Sequence, residues 1–211
     1  VSAETLVLSE LERDALTEIV NIGVSRAASS LRKMIGEQVL LSVPSIEVVS
    51  QRRAARLISE REVSELVAVR QDFSGSFSGR ALLIFPETNS LELVRAVTGG
   101  ELSVQEVLDL EQEALAETGN IILNSCLATI ANMLKRSLVM TIPEVVRGSG
   151  GSLFDAEHDG AEGLVLFLYI DFAVRSRDIR GYIAMILDLP SMAALKDLLG
   201  EFIARVVGED F

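Results

Sequence analysis

The stretch from Asp14 to Asn21, DALTEIVN, returns 99 residues later as Glu113 to Asn120, EALAETGN, and each copy is followed across the same interval by a proline, Pro44 and Pro143. Around it Leu11, Glu12, Ala15, Leu16, Ile22 and Met34 are matched by Leu110, Glu111, Ala114, Leu115, Ile121 and Met133. In a chain of 211 residues this self-similarity at half length predicts two copies of one unit. Half of such a chain makes only a marginal core, and no Pro/Ser-rich linker divides the halves. The expectation is therefore a single domain over residues 1–211, with repeats at about 8–100 and 107–208 sharing one sheet around a pseudo-twofold axis. A duplicated core would keep its apolar positions. This repeat also keeps a glutamate and an asparagine three residues apart.

Local signals give the elements. Ser9 and Glu12 predict a capping box that opens a helix running to about Ile35 and stopping at Gly36. Leu11, Ala15, Ile19, Ile22 and Leu31 form its expected apolar stripe. Val39 to Val49 reads as a strand, with Pro44 marking an edge or a bulge because it cannot donate to a ladder. Gln51 to Glu65 is charged and fits neither period. Leu66 to Phe73 and Phe77 to Phe85 read as strands joined by a Ser-Gly-Ser turn. Pro86 to Thr98 reads as a short helix closed by Gly99 and Gly100. In the second half Asp109 and Gln112 predict a second capping box and a helix to about Leu134, then a strand from Leu138 to Arg147 carrying Pro143. A flexible connection from Gly148 to Ser152 leads to a hairpin of Leu164 to Val174 and Asp178 to Leu187, and to a last helix from Pro190 or Ser191 to about Val207. Each half is then α-β-β-β-α. Strands linked by short turns predict an α+β class with a mainly antiparallel shared sheet and two long helices.

Composition serves mainly to exclude. A net charge of −12 argues against nucleic-acid binding, which relies on cationic surface. The one basic cluster, Arg52, Arg53 and Arg56, is followed by Glu60 and Glu62 and reads as a solvated face. A mean hydropathy of +0.37 raises the membrane question. The most continuous apolar run, Leu164 to Ile170, ends at Asp171, well short of the roughly 20 residues of a spanning helix. No basic segment followed by an apolar stretch opens the chain, so no signal peptide is expected, and a cytoplasmic monomer without membrane insertion fits. Cys126 is the sole cysteine, which leaves no disulfide framework and no cysteine metal site, and it reads as a small buried hydrophobe. His158, between Asp155, Glu157 and Asp159, reads as part of a solvated acidic loop. It is distant in sequence from Cys126 and makes no nucleophile pair with it. No Gly-Lys-Ser/Thr follows a glycine-rich segment, so there is no phosphate-binding loop of that kind.

The polar residues of the repeat carry more. Asp14, Glu18, Asn21 and Ser25 are spaced 4, 3 and 4 apart, as are Glu113, Glu117, Asn120 and Asn124. On a helix each set forms one line, with carboxylate and carboxamide neighbours on a rigid element. Asparagine is a poor mid-helix residue because it competes for backbone hydrogen bonds, so its recurrence calls for a reason. The spacing alone leaves two readings open: a positioned site in each half, or the ordinary polar face of an amphipathic helix copied by duplication.

The pattern Asp/Ser-x3-Glu-x2-Asn followed by a proline, occurring twice, resembles the CheC family of chemotaxis phosphatases. Asp14, Glu18, Asn21 and Pro44 match it fully; in the second half Glu117, Asn120 and Pro143 match, while Glu113 stands where Asp or Ser is usual. The likeness extends to the modules beginning Gly79-Arg-Ala-Leu-Leu-Ile-Phe-Pro86 and Gly181-Tyr-Ile-Ala-Met-Ile-Leu. Two intact motifs make the chain more similar to CheC than to CheX, which keeps one, and FliY adds terminal segments not expected here. The resemblance implies dephosphorylation of the aspartyl phosphate of a CheY-like response regulator. Asn21 and Asn120 would orient the attacking water, and Glu18 and Glu117 would contact the regulator's lysine. It implies no cofactor on this chain, with Mg on the regulator's own acidic site, and CheD as a possible further partner. An alternative stays open within the same likeness: a non-catalytic module that binds a response regulator or CheD, like the FliM middle domain.

Overall fold

The computed structural model describes residues 8–43, 45–98, 103–154, 163–174 and 177–209. Pro44, the Gly99-Gly100 stop and the acidic loop around His158 lie outside the described residues.

Helix α1, Glu10–Ile35, starts as expected: Ser9 and Glu12 form a reciprocal capping box, and Gly36, at φ 77°, ends the helix by donating its N–H to the Arg32 carbonyl. Strands β1, Val39–Ser42, and β2, Ile46–Ser50, follow, then helix α2, Gln51–Arg61. A hairpin of β3, Leu66–Gly75, and β4, Gly79–Pro86, leads to α3, Glu87–Thr98. The second half runs α4, Val104–Met133; β5, Leu138–Met140; β6, Glu144–Gly148; α5, Gly150–Leu153; β7, Leu164–Val174; β8, Arg177–Leu187; and α6, Leu189–Glu209.

All eight strands join one antiparallel sheet in the order β1-β7-β8-β4-β3-β5, with β2 also on β7 and β6 also on β3. The short strands of each half thus pair with the long hairpin of the other half, and the β4–β8 ladder lies at the centre. The strand order reads the same when the halves are exchanged.

Alternation along the strands divides the core into two layers. Val67, Val69, Phe73, Leu83, Phe85, Leu166, Leu168 and Phe172 face the layer that holds α1, α3, α4 and α6. Their neighbours Leu66, Ala68, Leu82, Ile84, Val165 and Phe167 face a smaller cluster under α2 and α5. Burial on both faces explains why these strands read as nearly continuous apolar runs.

Several expectations are corrected. The single strand predicted in each half is two strands: β1 ends at Ser42 and β2 starts at Ile46 in the first, and the second is broken at Thr141-Ile142-Pro143, where Pro143 has no N–H for a ladder. The ambiguous segment after Ser50 is α2. Ser50 caps it by accepting from Arg53 N, and Ala54, Ala55, Leu57 and Ile58 are its buried side despite four arginines. The connection expected to be flexible contains α5, capped by Ser149. Each half is therefore α-β-β-α-β-β-α rather than α-β-β-β-α.

Helix α4 begins at Ser103, not Asp109: the capping box is Ser103 with Glu106, whose carboxyl the Ser103 hydrogen bonds hold below its usual range. Asp109 therefore lies within the helix, and Glu111, the repeat partner of the capping Glu12, is buried. Glu111 accepts from Ser90 Oγ and from the Arg147 guanidinium. The apolar side of α1 is also shifted. Leu16, Ile19, Val20, Val24, Ala27 and Leu31 are buried, whereas Leu11 is 58% exposed.

Candidate functional site

The repeated polar residues sit on the two longest helices, which pack against each other on one face of the sheet. The backbones come close at Gly23, where a Cβ would stand 2.9 Å from the Cys126 Cα, so glycine is what lets them meet there. Arg26 Nη1 donates across the contact to Thr129 Oγ1 at 3.3 Å. Met133, at the end of α4, shares an apolar groove with Leu11, Ala15 and Glu18 near the start of α1. Met34, at the end of α1, shares another with Leu110, Glu113 and Glu117. The helices therefore run antiparallel, and the two Glu/Asn pairs lie toward opposite ends of the helix pair.

Glu18 is exposed and Asn21 half-buried one turn further on; with Ile22, Ser25, Arg26 and Ser29 they line an open groove of about 590 Å³. The Glu18 carboxylate makes no hydrogen bond or ion pair to any described residue. The Asn21 carboxamide is clamped at both ends on one residue. Its Nδ2 donates to the Val43 carbonyl at 3.1 Å, and its Oδ1 accepts from Val43 N at 3.0 Å. An amide offers two donors and two acceptor sites, so one of each remains for a ligand or a water. This clamp also gives the mid-helix asparagine a structural role: it satisfies backbone groups at the break between β1 and β2. Asp14 and Ser25 are exposed on the same helix.

The second pair repeats the exposure but not the support. Glu117 is exposed without a protein partner among the described residues, with Glu113 beside it, and Asn120 is half-buried. Asn120 Oδ1 accepts from Asn124 Nδ2 at 2.6 Å, and Asn120 makes no hydrogen bond through its own Nδ2. Asn124 Oδ1 in turn accepts from Gln71 Nε2 at 3.1 Å, and the same Nε2 donates to the Thr141 carbonyl at 2.7 Å. The counterpart of Val43 is Ile142, 86% exposed where Val43 is 1% exposed, so no backbone clamp forms. Gly119 brings α4 down onto the sheet: a Cβ there would meet the Val69 side chain at 2.5 Å.

Gln71 is the residue that motif reading missed. Its one sequence signal is parity: it is the polar member of the β3 stripe Val67, Val69, Gln71, Phe73. Cys126 is buried at the helix crossing, and burial pushes its thiol up to about 12, which leaves it protonated at neutral pH. Among the described residues no group of three or more His, Cys, Asp and Glu side chains could hold a metal ion, and no helix is long and apolar enough to cross a membrane. A polar cleft of about 550 Å³ lies elsewhere, near α2. There Tyr182 donates to Glu62, Tyr169 donates to Glu47, and Arg61 stacks on the Tyr169 ring, with both phenols raised chiefly by burial. It contains none of the repeated residues.

The chain is similar to known proteins in sequence and in fold. The family model described as chemotaxis phosphatase CheX matches residues 67–167, and that of the CheC-like family matches residues 11–48, so each match includes one Glu/Asn pair. The CheY-P phosphatase CheC of Bacillus subtilis is 22% identical over 201 residues, covering 92% of this chain and 96% of that protein. The flagellar motor switch phosphatase FliY of the same organism is 24% identical over 140 residues, which are 65% of this chain but only 36% of that protein's length. Among solved structures, FliY of Thermotoga maritima superposes with a TM-score of 0.72 at 18% identity, covering 93% of this chain and 99% of that one. The FliM middle domain of H. pylori gives 0.61 at 9% identity, covering 90% and 99%. CheX of Borrelia burgdorferi, in a complex with CheY, BeF3 and Mg, gives 0.51 at 17% identity, covering 82% and 99%. These structures share the α+β fold with its antiparallel sheet and flanking helices.

Proposed function

We propose that this chain, which belongs to the CheC/CheX/FliY family of CheY-P phosphatases, hydrolyses the aspartyl phosphate of a CheY-like response regulator at two sites. One observation carries the reading. Each long helix presents an exposed, unpaired glutamate one turn before an asparagine whose carboxamide is fixed from behind yet keeps hydrogen-bonding capacity to spare.

The chemistry suits these groups. An acyl phosphate is already activated, and phosphoryl transfer through a loose transition state needs positioning more than a strong base. A carboxamide cannot usefully deprotonate water, but it can hold one in line with the phosphorus–oxygen bond to the regulator's aspartate. Water attacks phosphorus, that bond breaks, the aspartate carboxylate leaves, and inorganic phosphate is released. Asn21 and Asn120 take the water-orienting role. Glu18 and Glu117 contact a regulator lysine beside the phosphoryl group. Mg belongs to the regulator's acidic site rather than to this chain. Losing one water-positioning contact should cost ~10²-fold at that site, in line with the loss of one transition-state hydrogen bond. The captured complex of CheX with CheY supports a regulator as the partner. The invariance of the strand order to exchange of the halves supports an internal duplication within one domain. A cytoplasmic monomer that also engages CheD completes the proposal.

The second reading, a binding module without turnover, is favoured by the fold shared with the FliM middle domain. The two part in a direct assay. A CheY-type regulator is phosphorylated with a small-molecule phosphodonor, and its decay is followed with and without substoichiometric amounts of this chain. Accelerated decay with multiple turnovers is expected. Phosphorylation-dependent binding with an unchanged decay rate would select the binding module.

A further inference from the structure

We propose that Gln71 is a positioning residue for the second site, setting the direction of the Asn120 carboxamide through Asn124. The proposal rests on the reading of Asn120 as the water-orienting group.

Gln71 lies on the α4-facing side of β3 between Val69 and Phe73 and is 2% exposed. A buried amide is unfavourable unless its hydrogen bonds are made. Gln71 makes them on one side only. Nε2 donates to Asn124 Oδ1 and to the Thr141 carbonyl, while Oε1 is buried without a partner. The asymmetry gives the amide a direction. A backbone carbonyl only accepts, so Thr141 O requires Nε2, not Oε1, to face it. With Nε2 so placed, a donor faces Asn124, whose Oδ1 must turn toward it. The Asn124 Nδ2 then faces Asn120 Oδ1, and both Asn120 Nδ2 hydrogens are left outside the relay. Orientation thus passes from a main-chain carbonyl in the break between β5 and β6, through two side-chain amides, to the exposed helix face.

The first site acts as an internal control. Its counterpart of Gln71 is Ile170, a buried residue of β7, and its counterpart of Asn124 is Ser25, which is exposed. There is no relay at the first site, and Asn21 takes its direction from the Val43 backbone instead. A change at Gln71 should therefore separate the two sites.

The test uses the full chain with Gln71→Leu and, as a milder second variant, Asn124→Ser, each placed in an Asn21→Ala and an Asn120→Ala background. With only the second site intact, both changes should lower kcat for regulator dephosphorylation about tenfold, as expected for a mispositioned group, with KM unmoved. With only the first site intact, turnover should not change. In the otherwise unaltered chain, both changes should shift the side-chain amide NMR signal of Asn120 and leave that of Asn21 in place. An unchanged kcat in the Asn21→Ala background, equal losses in both backgrounds, or an unmoved Asn120 signal would each overturn the relay. Should the Asn21→Ala/Asn120→Ala chain prove as active as the unaltered one, the water-orienting reading fails. The catalytic part of this proposal then falls with it, while the amide signal still decides whether Gln71 orients Asn120.

Discussion

The two sites present the same glutamate and asparagine but hold the asparagine by different means. In the first, the carboxamide closes a two-bond ring on the Val43 backbone; in the second, a chain of side chains, Gln71 to Asn124 to Asn120, does the holding. The accompanying packing differs accordingly. Where the first site has Val20 and Ile170, the second has Gly119 and Gln71: there the helix comes closer to the sheet, and a polar group on the sheet reaches it. A feature of the exposed face can thus be kept while the buried support under it is rebuilt. The supports, not the motif, are where the sites can be told apart.

The largest structural effect is expected at Gly119. Glycine inside a helix costs about 1 kcal/mol relative to alanine, so its place in α4 is explained by the Val69 side chain below it. Gly119→Val should destabilise the chain by about 3 kcal/mol, the upper end for overpacking, in urea unfolding. Gly200→Ala in α6, with open space around the position, should be neutral or stabilising. Equal behaviour at the two glycines would break the packing side of the comparison.

Replacing each asparagine by aspartate sharpens it further. Asn21→Asp removes the donor to the Val43 carbonyl and sets a carboxylate oxygen against it, at an expected cost of about 2 kcal/mol. Asn120 uses only its acceptor, which aspartate keeps, so Asn120→Asp should cost less than about 1 kcal/mol. Chemical denaturation of the two variants, run side by side at neutral pH, reads the difference directly. A smaller contrast lies at the ends of the two long helices, where Gly36 and its counterpart Lys135 both have positive φ, 77° and 54°. Lys135→Gly should raise stability by about 1 kcal/mol by relieving a left-handed side-chain residue, whereas Gly36→Lys should lower it.

Much of the fold could be read from local patterns because local chemistry sets it. Ser9, Glu12 and Gly36 act within one turn of the helix ends they define, and β3, β4, β7 and β8 carry long apolar runs because both of their faces are buried. Helix α2 escaped because Arg52, Arg53, Arg56 and Arg61 obscure a short apolar side of two alanines, a leucine and an isoleucine. The start of α4 was misplaced because Asp109 and Gln112 have capping-box spacing, as do Ser103 and Glu106, which form the box. In the candidate site, the 4, 3, 4 spacing was enough to put Glu18 with Asn21 and Glu117 with Asn120 on helix faces. Val43, Gln71 and Thr141 could not be found that way, since they reach the asparagines only through tertiary pairing.

The central claim is that each asparagine independently supports turnover. It is tested most directly by the decay of a phosphorylated CheY-type regulator in the presence of the unaltered chain, Asn21→Ala, Asn120→Ala and the double variant, at equal concentration and with folding checked. Each single variant should keep the activity of its remaining site, and the double variant should fall ~10²-fold or more, to the regulator's own decay rate. A double variant that dephosphorylates the regulator as fast as the unaltered chain would contradict the account.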